Sequence, residues 1–215
     1  MLLFSDTIPP FQPDAMKKTL ILFATVLLDM QMQAQDTLLL DSIKRGNSEM
    51  MTLKALLHNH NKKSEKITEK NGEIHYAFPD KFSAVFENES YIVFNGDYIK
   101  ANIGIFRGSF RMRNGPVRSL SRAFLYALQG RCQDLAEENN FTLQLETDEL
   151  FHTVTFTTKK KLLIGIGLKQ AIFRYDYNSL LLKEIVLIDY TGSIDTYTLL
   201  EEKHNEEIDE SIFEI

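Results

Sequence analysis

Residues 72–100 read GEIHYAFPDKFSAVFENESYIVFNGDYIK. Apolar and polar side chains alternate along most of this stretch, and a period of two residues is typical of strands that bury one face. Pro79-Asp80 and Asn95-Gly96 interrupt the alternation as turns. The second is a strong hairpin signal, because both of its residues tolerate positive φ angles. The stretch therefore predicts a meander of short antiparallel strands whose buried side is rich in aromatic rings.

The alternation recurs on both sides of this meander. The other expected strands cover residues 50–58, 140–146, 151–158, 171–177, 183–190 and 194–201. Residues 59–71 are polar and contain four lysines, so we expect a solvated hairpin loop there. The acidic residues 201–210 predict a second solvated loop. A mostly β, α+β fold follows from this pattern.

Two segments have helical spacing instead. Leucines and an isoleucine at such spacing in residues 36–45, followed by Gly46, predict the end of an N-terminal helix. Leu120, Phe124 and Leu128 stand at positions i, i+4 and i+8 between flanking glycines, which predicts a short amphipathic helix. This second helix can serve as a structural cover for the open side of the sheet, as a ligand lid, or as both.

Composition limits the classes of protein. A chain of 215 residues with 44% hydrophobic content can build one sizeable core, and nothing in it indicates a second domain. Its 24 basic and 30 acidic side chains give a net charge of -6, which argues against a general nucleic-acid binder. The 15 Phe and 8 Tyr, with no Trp, fit either an aromatic β core or an enclosed apolar ligand site.

The N-terminal region has the pattern of an export signal. Residues 16–34 contain Met-Lys-Lys, an apolar run too short to span a bilayer, and a polar end at Ala34. We interpret residues 1–15 as an upstream start that is not part of the mature protein. The mature chain is then expected to be a single domain over residues 36–215. Because Cys132 is the only cysteine, no lipidation site follows the apolar run.

One segment of this acidic chain is strongly basic. Residues 98–133 contain no acidic side chain, although basic residues recur throughout them. Arg118 and Arg122 stand on the predicted amphipathic helix. We expect these two arginines to contact a partner protein or the headgroup of a ligand.

The sequence carries no recognisable motif for catalysis. It contains no G-x-S-x-G, no H-E-x-x-H and no phosphate-binding glycine loop. His58 and His60 share a strand face but have no third ligand nearby. Gly165-x-Gly167 lacks the third glycine of a dinucleotide site. We therefore expect no enzymatic activity, no cofactor and no metal.

The order of these features resembles that of the periplasmic lipoprotein-carrier family (LolA-like). The positions that match the family's early strands and turn are Gly72, Tyr76, Pro79, Phe82 and Asn95-Gly96-Asp97. The later matches are Pro116 before the amphipathic helix, the hairpin of residues 188–199, and Ile212-Phe213 in place of the terminal strand. The resemblance covers roughly residues 36–215, about one ordinary domain length.

The resemblance implies an unclosed antiparallel β-barrel, or half-barrel, with an N-terminal helix and a short helical lid over its concave face. It also implies a monomeric carrier in the periplasm of a Gram-negative bacterium. Such a carrier binds the acyl chains of lipoproteins and ferries them from an inner-membrane release complex to an outer-membrane acceptor. Family members commonly carry an Arg before the strand-turn Pro, which bonds lid residues in the closed state. This chain has Phe78 before Pro79, so that latch is missing.

A carrier of this kind needs an apolar cavity, because each buried methylene contributes about 0.8 kcal/mol without any polar partner. The residues expected to line the cavity are Tyr76, Phe78, Phe82, Phe86, Phe94, Val154, Phe156 and Phe173. Those expected to close it as a lid are Leu120, Phe124 and Leu128. A register slip of one residue would exchange the two faces of any of these strands.

Two other classes of function stay open at the level of sequence. The same scaffold fits a carrier of another lipid or of a glycolipid. A fully packed interior, combined with an arginine segment that docks an acidic partner, fits a non-carrying interaction module instead.

Overall fold

A computed structural model describes most of the chain. The described residues are 34–63, 65–103, 106–111, 116–158 and 168–215, with only the backbone described for residues 103, 106 and 116–121. The chain divides into two units, Met1–Leu39 and Leu40–Ile215. In the first unit the described residues, 34–39, are helical. All of the strands in the described residues belong to the second unit.

Helices and strands lie close to the positions that the sequence predicts. Helix α1 covers residues 34–48 of the described chain, α2 covers Pro116–Leu128, and α3 covers Cys132–Asn139. The strands are β1 (Thr52–Lys63), β2 (Lys66–Ala77), β3 (Lys81–Phe86), β4 (Tyr91–Asn95), β5 (Tyr98–Ile103), β6 (Phe106–Arg111), β7 (Phe141–Thr147), β8 (Phe151–Thr158), β9 (Leu168–Asp176), β10 (Leu182–Asp189) and β11 (Ile194–His204). A short 3₁₀ helix, Glu210–Phe213, follows the last strand.

The strands form one antiparallel sheet that does not close. Their order is β6-β5-β4-β3-β2-β1-β11-β10-β9-β8-β7, so β6 and β7 are the two edges. The expectation of an unclosed antiparallel sheet, mostly β with a helix at the N-terminal side, is confirmed. Strand β1 pairs with β11 at the centre of the order, with Leu57 opposite Leu199 and Asn59 opposite Tyr197. This central pairing joins the N-terminal meander to the C-terminal strands.

Three local expectations are wrong. The solvated hairpin loop expected over residues 59–71 is instead mostly paired strand, because β1 and β2 pair without interruption from Thr52 opposite Ala77 to Lys63 opposite Lys66. Its polar side chains hid the strands, since backbone pairing does not require apolar residues. The acidic loop expected over residues 201–210 begins only after β11 ends at His204. The terminal strand expected at Ile212-Phe213 is a 3₁₀ helix, whose Asp209 cap accepts a hydrogen bond from the Ser211 amide.

The two faces of the sheet are covered by different parts of the chain. We call the face that carries Tyr76 and Phe173 the inner face, and α2 packs on it. The opposite, outer face carries Ala77 and Val93, which form a small core with Phe213 from the C-terminal 3₁₀ helix. Phe213 is only 1% exposed, so the C-terminal segment is an integral part of the fold.

Truncation of Phe213 tests this packing. We expect Phe213→Ala to lower the free energy of unfolding by about 3–5 kcal/mol, because it removes a buried ring and leaves a cavity. Ile215→Ala, two residues away and 40% exposed, is the matched control and should change it by less than about 0.5 kcal/mol. Urea denaturation followed by circular dichroism measures both values. Equal stabilities for the two variants would contradict the assignment of Phe213 as an anchor.

Candidate functional site

An aromatic row crosses the inner face of the meander. The strand register places Tyr76 opposite Phe82, Phe82 opposite Phe94, and Phe94 opposite Ile99. All four side chains are buried, and the ring centroids of Phe82 and Phe94 lie 5.6 Å apart. Directly opposed aromatic side chains stabilise neighbouring strands, so this row also fixes the register.

A second apolar row lies on the inner face of the C-terminal strands. Val154 stands opposite Phe173, and Phe173 opposite Ile185. The rings of Phe156 and Phe173 lie 4.8 Å apart. These side chains are almost completely buried, so the inner face is apolar in both halves of the sheet.

Helix α2 brings the two halves together through one ring. Phe124 lies 5.4 Å from the Phe82 ring on β3 and 5.0 Å from the Tyr197 ring on β11, the latter in an edge-to-face arrangement. Leu128, one turn further along the helix, is fully buried. Phe124 therefore occupies the place on the inner face where the meander and the C-terminal strands meet.

Hydrogen bonds hold the C-terminal end of α2 to the sheet. The Gln129 amide donates to the Tyr76 hydroxyl at 3.0 Å and to the Pro79 carbonyl. The Tyr175 hydroxyl donates to the Ala127 carbonyl at 2.9 Å. Buried hydroxyl groups need partners, and the last carbonyls of a helix are free to accept. The tyrosine hydroxyls on the strands therefore fix the C-terminal end of α2 to the sheet.

The turn after α2 depends on a glycine. Gly130 has a φ of 64°, and a Cβ added there would lie 2.7 Å from the Ile43 carbonyl oxygen. A side chain at this position would meet both the left-handed backbone and the neighbouring helix. Gly130 thus allows α3 to turn directly back from α2 beside α1.

A polar cavity of about 270 Å³ adjoins this aromatic region. Its polar lining consists of Asn59 and Asn61 from β1, Thr68 and Lys70 from β2, and Asp195 and Tyr197 from β11. The register arranges them in two rows across β1, one with Lys70, Asn59 and Tyr197 and the other with Thr68, Asn61 and Asp195. Phe86 and Ser90 complete the wall. Tyr197 belongs to both regions, because its ring contacts Phe124.

A second cleft, about 790 Å³, lies near the β6 edge of the sheet. Tyr98, Phe110 and Arg111 line it together with the C-terminal residues Glu214 and Ile215. Phe110 stands opposite Ile99 at the outer end of the aromatic row but is 41% exposed. This cleft therefore lies at the edge of the sheet. The polar cavity, in contrast, is lined by Tyr197, whose ring contacts Phe124.

The residues that the sequence predicts for an acyl cavity lie in three settings. Tyr76, Phe82, Phe94, Val154, Phe156 and Phe173 are buried on the inner face. Phe86 is half-buried in the wall of the polar cavity. Phe78 is 48% exposed, because β2 ends at Ala77 and the chain turns outward before Pro79. That these residues contact a ligand stays a prediction.

The predicted lid and arginines are only partly described. Phe124 and Leu128 lie on the inner face, whereas the side chains of Leu120 and Arg118 lie outside the described residues. Arg122 donates to the Glu138 carboxylate at 2.6 Å, which ties α2 to α3. A role for Arg122 in contacting a partner or headgroup stays a prediction.

Sequence reasoning missed the polar cavity. Its residues fall in the part of β1 and β2 that was expected to be a loop, and in β11. A signal was present, since Asn59 and Asn61 continue the inward alternation of Leu53, Ala55 and Leu57. The alternation becomes visible only when the strand is extended through polar residues.

Burial governs the titration of two groups next to α2. Burial raises the pKa of the Cys132 thiol to about 12, and the thiol lies 3.4 Å from the Tyr175 hydroxyl. Burial also raises the pKa of Tyr126 to about 12, helped by its hydrogen bond to Glu138. Both groups stay protonated at neutral pH, so neither is a nucleophile.

The described residues give no sign of a metal centre or of a membrane-spanning helix. Within them, no three His, Cys, Asp or Glu side chains are grouped as a metal site would require. The His58 ring instead contacts Asn71, and the His60 ring contacts Glu69. None of the helices in this part of the chain is long and apolar enough to cross a bilayer.

Comparisons with known proteins find several solved structures that are similar to this chain at low identity. No protein-family model matches the sequence, and neither does any curated protein. A LolA superfamily protein from Nitrosomonas europaea is similar in structure, with 9% identity and a TM-score of 0.41 over 81% of this chain and 97% of that one.

Two further structures show the breadth of this likeness. An uncharacterized conserved protein from Thermus thermophilus is 10% identical, with a TM-score of 0.49 over 85% of this chain and 94% of that one. The Mycobacterium tuberculosis lipoprotein LppX is 15% identical, with a TM-score of 0.38 over 81% of this chain and 98% of that one. At such low identities and TM-scores, the comparisons leave cargo and activity open.

The burial of Cys132 gives a test of the contact between the helices and the sheet. At about pH 8 the thiol should not react with Ellman's reagent in the folded protein, because only the thiolate attacks and burial disfavours it. The same chain in concentrated guanidinium chloride should react fully, which is the control. Rapid labelling under native conditions would contradict the packing of Cys132 beside Tyr175.

Proposed function

We propose that this chain is an exported carrier that holds acyl chains between the inner face of its sheet and helix α2, and ferries the attached cargo towards the outer membrane. The observation that carries the proposal is the position of Phe124, which packs against aromatic rings of both halves of an apolar inner face. An acyl chain needs such a surface and no polar partner, since its burial contributes about 25 cal/mol per Å².

The attachment of α2 supports a displaceable cover. In the part of α2 whose side chains the structure describes, the hydrogen bonds to the sheet are made by Ala127 and by Gln129, which directly follows the helix. Phe124 lies about one turn before them, and its side chain contacts the sheet through the rings of Phe82 and Tyr197. Displacing the ring exchanges one apolar contact for another, so an entering acyl chain can replace it without leaving a buried polar group unpaired.

Two classes of cargo fit this site. The sequence resemblance implies a lipoprotein, with an inner-membrane release complex and an outer-membrane acceptor as partners, and the signal-like residues 16–34 support export. The polar cavity lined by Tyr197 favours the second class, a lipid or glycolipid whose polar headgroup could bind in it. The proposal assigns no catalytic step and no cofactor to either class, and the carrier acts as a monomer.

The central test is the introduction of a charge at the lid. Phe124→Asp should abolish saturable binding of a fluorescent fatty acid, because a carboxylate would be buried against the aromatic row. Phe124→Ala should weaken binding by about tenfold through lost apolar contact. Val85→Asp is the matched control, since Val85 is 46% exposed on the outer face of β3 and its replacement should leave the affinity unchanged.

Circular dichroism and thermal unfolding establish that each of these variants is folded. Absence of saturable binding by the wild-type protein would contradict the carrier proposal and would support a non-carrying interaction module. Unchanged affinity in both folded Phe124 variants would show that acyl chains bind elsewhere.

The cargo class is decided by extraction. Protein purified from the periplasm of its host should release a bound lipid or a lipidated peptide into organic solvent, and mass spectrometry distinguishes the two. The Phe124→Asp variant, purified in parallel, should release neither.

A further inference from the structure

The polar cavity contains hydrogen-bond donors that the fold does not use. Among the described residues, the Lys70 ammonium forms no hydrogen bond or ion pair, and the side-chain hydroxyls of Thr68 and Tyr197 form no hydrogen bond. All three residues are half-buried, so their donors face the cavity without a protein partner and stay accessible from it. Three unused donors that line one cavity are therefore available to an acceptor-rich ligand group.

The Tyr197 hydroxyl is suited to donate. Burial, reinforced by the neighbouring Asp195 carboxylate, raises its pKa, so it keeps its proton throughout the physiological range. Its ring is fixed edge-on against Phe124. The hydroxyl is therefore held in one place rather than moving freely with solvent.

The cavity also contains a carboxylate that no cation neutralises. Asp195 accepts a hydrogen bond from the Asn61 amide at 2.6 Å, but within the described chain it forms no ion pair. Lys70 is on β2 and Asp195 on β11, so β1 separates them. The cavity thus presents one positive and one negative charge on opposite sides of a neutral strip formed by Asn59 and Asn61.

This pair of charges discriminates between classes of headgroup. A purely anionic group attracted by Lys70 would be repelled by Asp195, and a purely cationic group would meet the reverse problem. A group that carries a phosphate and an ammonium satisfies both. Charge-assisted hydrogen bonds to phosphate oxygens are the stronger kind, which suits the unused donors.

We propose that this cavity binds the zwitterionic headgroup of a phospholipid, with the phosphate at Lys70, Thr68 and Tyr197 and the ammonium at Asp195. The inference rests on the proposed carrier function and narrows its cargo to lipids that bear both charges.

A chain of contacts joins the cavity to the aromatic row. Tyr197 lines the cavity, its ring contacts Phe124, and Phe124 in turn contacts Phe82. A volume of about 270 Å³ accommodates a headgroup but not a whole lipid. The apolar remainder of the molecule is therefore directed under α2, where the carrier function places it.

The test uses three single-chain amphiphiles with the same acyl length, below their critical micelle concentrations. They are a lysophosphatidylethanolamine, a lysophosphatidylglycerol and the corresponding fatty alcohol. The wild-type protein should bind the first at least about tenfold more tightly than the other two in calorimetric titrations. The comparison isolates the headgroup, because the apolar part is constant.

Two substitutions then separate the charges. Lys70→Gln should weaken the binding of both phospholipids and leave that of the alcohol unchanged, since it removes an attraction to the phosphate that the alcohol lacks. Asp195→Asn should lower the affinity for the ethanolamine lipid by about tenfold, since it removes the attraction to the ammonium. It should raise the affinity for the glycerol lipid, since it removes the repulsion of the phosphate. The matched controls are Lys62→Gln, on the opposite face of β1, and Glu65→Gln, in the β1–β2 turn, neither of which should change any affinity.

Each outcome decides between the two proposals. Equal binding of all three amphiphiles, or a headgroup preference that neither substitution changes, would overturn the headgroup site and leave the carrier intact. Tighter binding of the glycerol lipid than of the ethanolamine lipid by the wild type would also overturn it, in favour of an anionic ligand. Failure of the wild type to bind any of the three would overturn both, and thermal unfolding confirms that each variant is folded.

Discussion

The structure depends on a sheet that is open at both edges and apolar over its inner face. Without closure, that face cannot be shielded by the sheet itself, so other parts of the chain must cover it. Helix α2 provides the cover, and Phe124 makes it effective by packing against rings from β3 and β11 at once. The pairing of β1 with β11 is what brings those two rings within reach of one side chain.

The two faces are covered in physically different ways. On the outer face, Phe213 is buried among aliphatic and aromatic neighbours, and the Asn95 amide donates to its carbonyl at 3.1 Å. On the inner face, α2 is bonded to the sheet near its C-terminal end, while the Phe124 side chain contacts the sheet through aromatic rings. Apolar contacts are non-directional, so the proposed carrier function needs an acyl chain to replace only contacts of this kind.

The inner face changes character along β1. From Leu53 to Leu57 its inward side chains are apolar and nearly inaccessible, but at Asn59 and Asn61 they become amides that border a cavity. An apolar surface that passes into a polar one over a few residues matches an amphiphile better than it matches a purely apolar ligand. The proposed carrier function uses the apolar part of this face, and the proposed headgroup site uses the polar part. Tyr197 lies between the two parts.

The sequence alone determined most of the strands, their turns and the amphipathic helix, because periodicity and turn chemistry are local properties of the chain. It did not predict α3 or β6. Alternation identified Tyr76, Phe82 and Phe173 as inward-facing, but it failed where side chains were polar, as at residues 59–71, since strand pairing there comes from the backbone. Only the tertiary structure decided which residues meet across the sheet. Lys70 and Asp195 are far apart in sequence, and register with β1 alone brings them to one cavity. Likewise the burial of Ala77 by Phe213 follows from long-range packing, which no local pattern encodes.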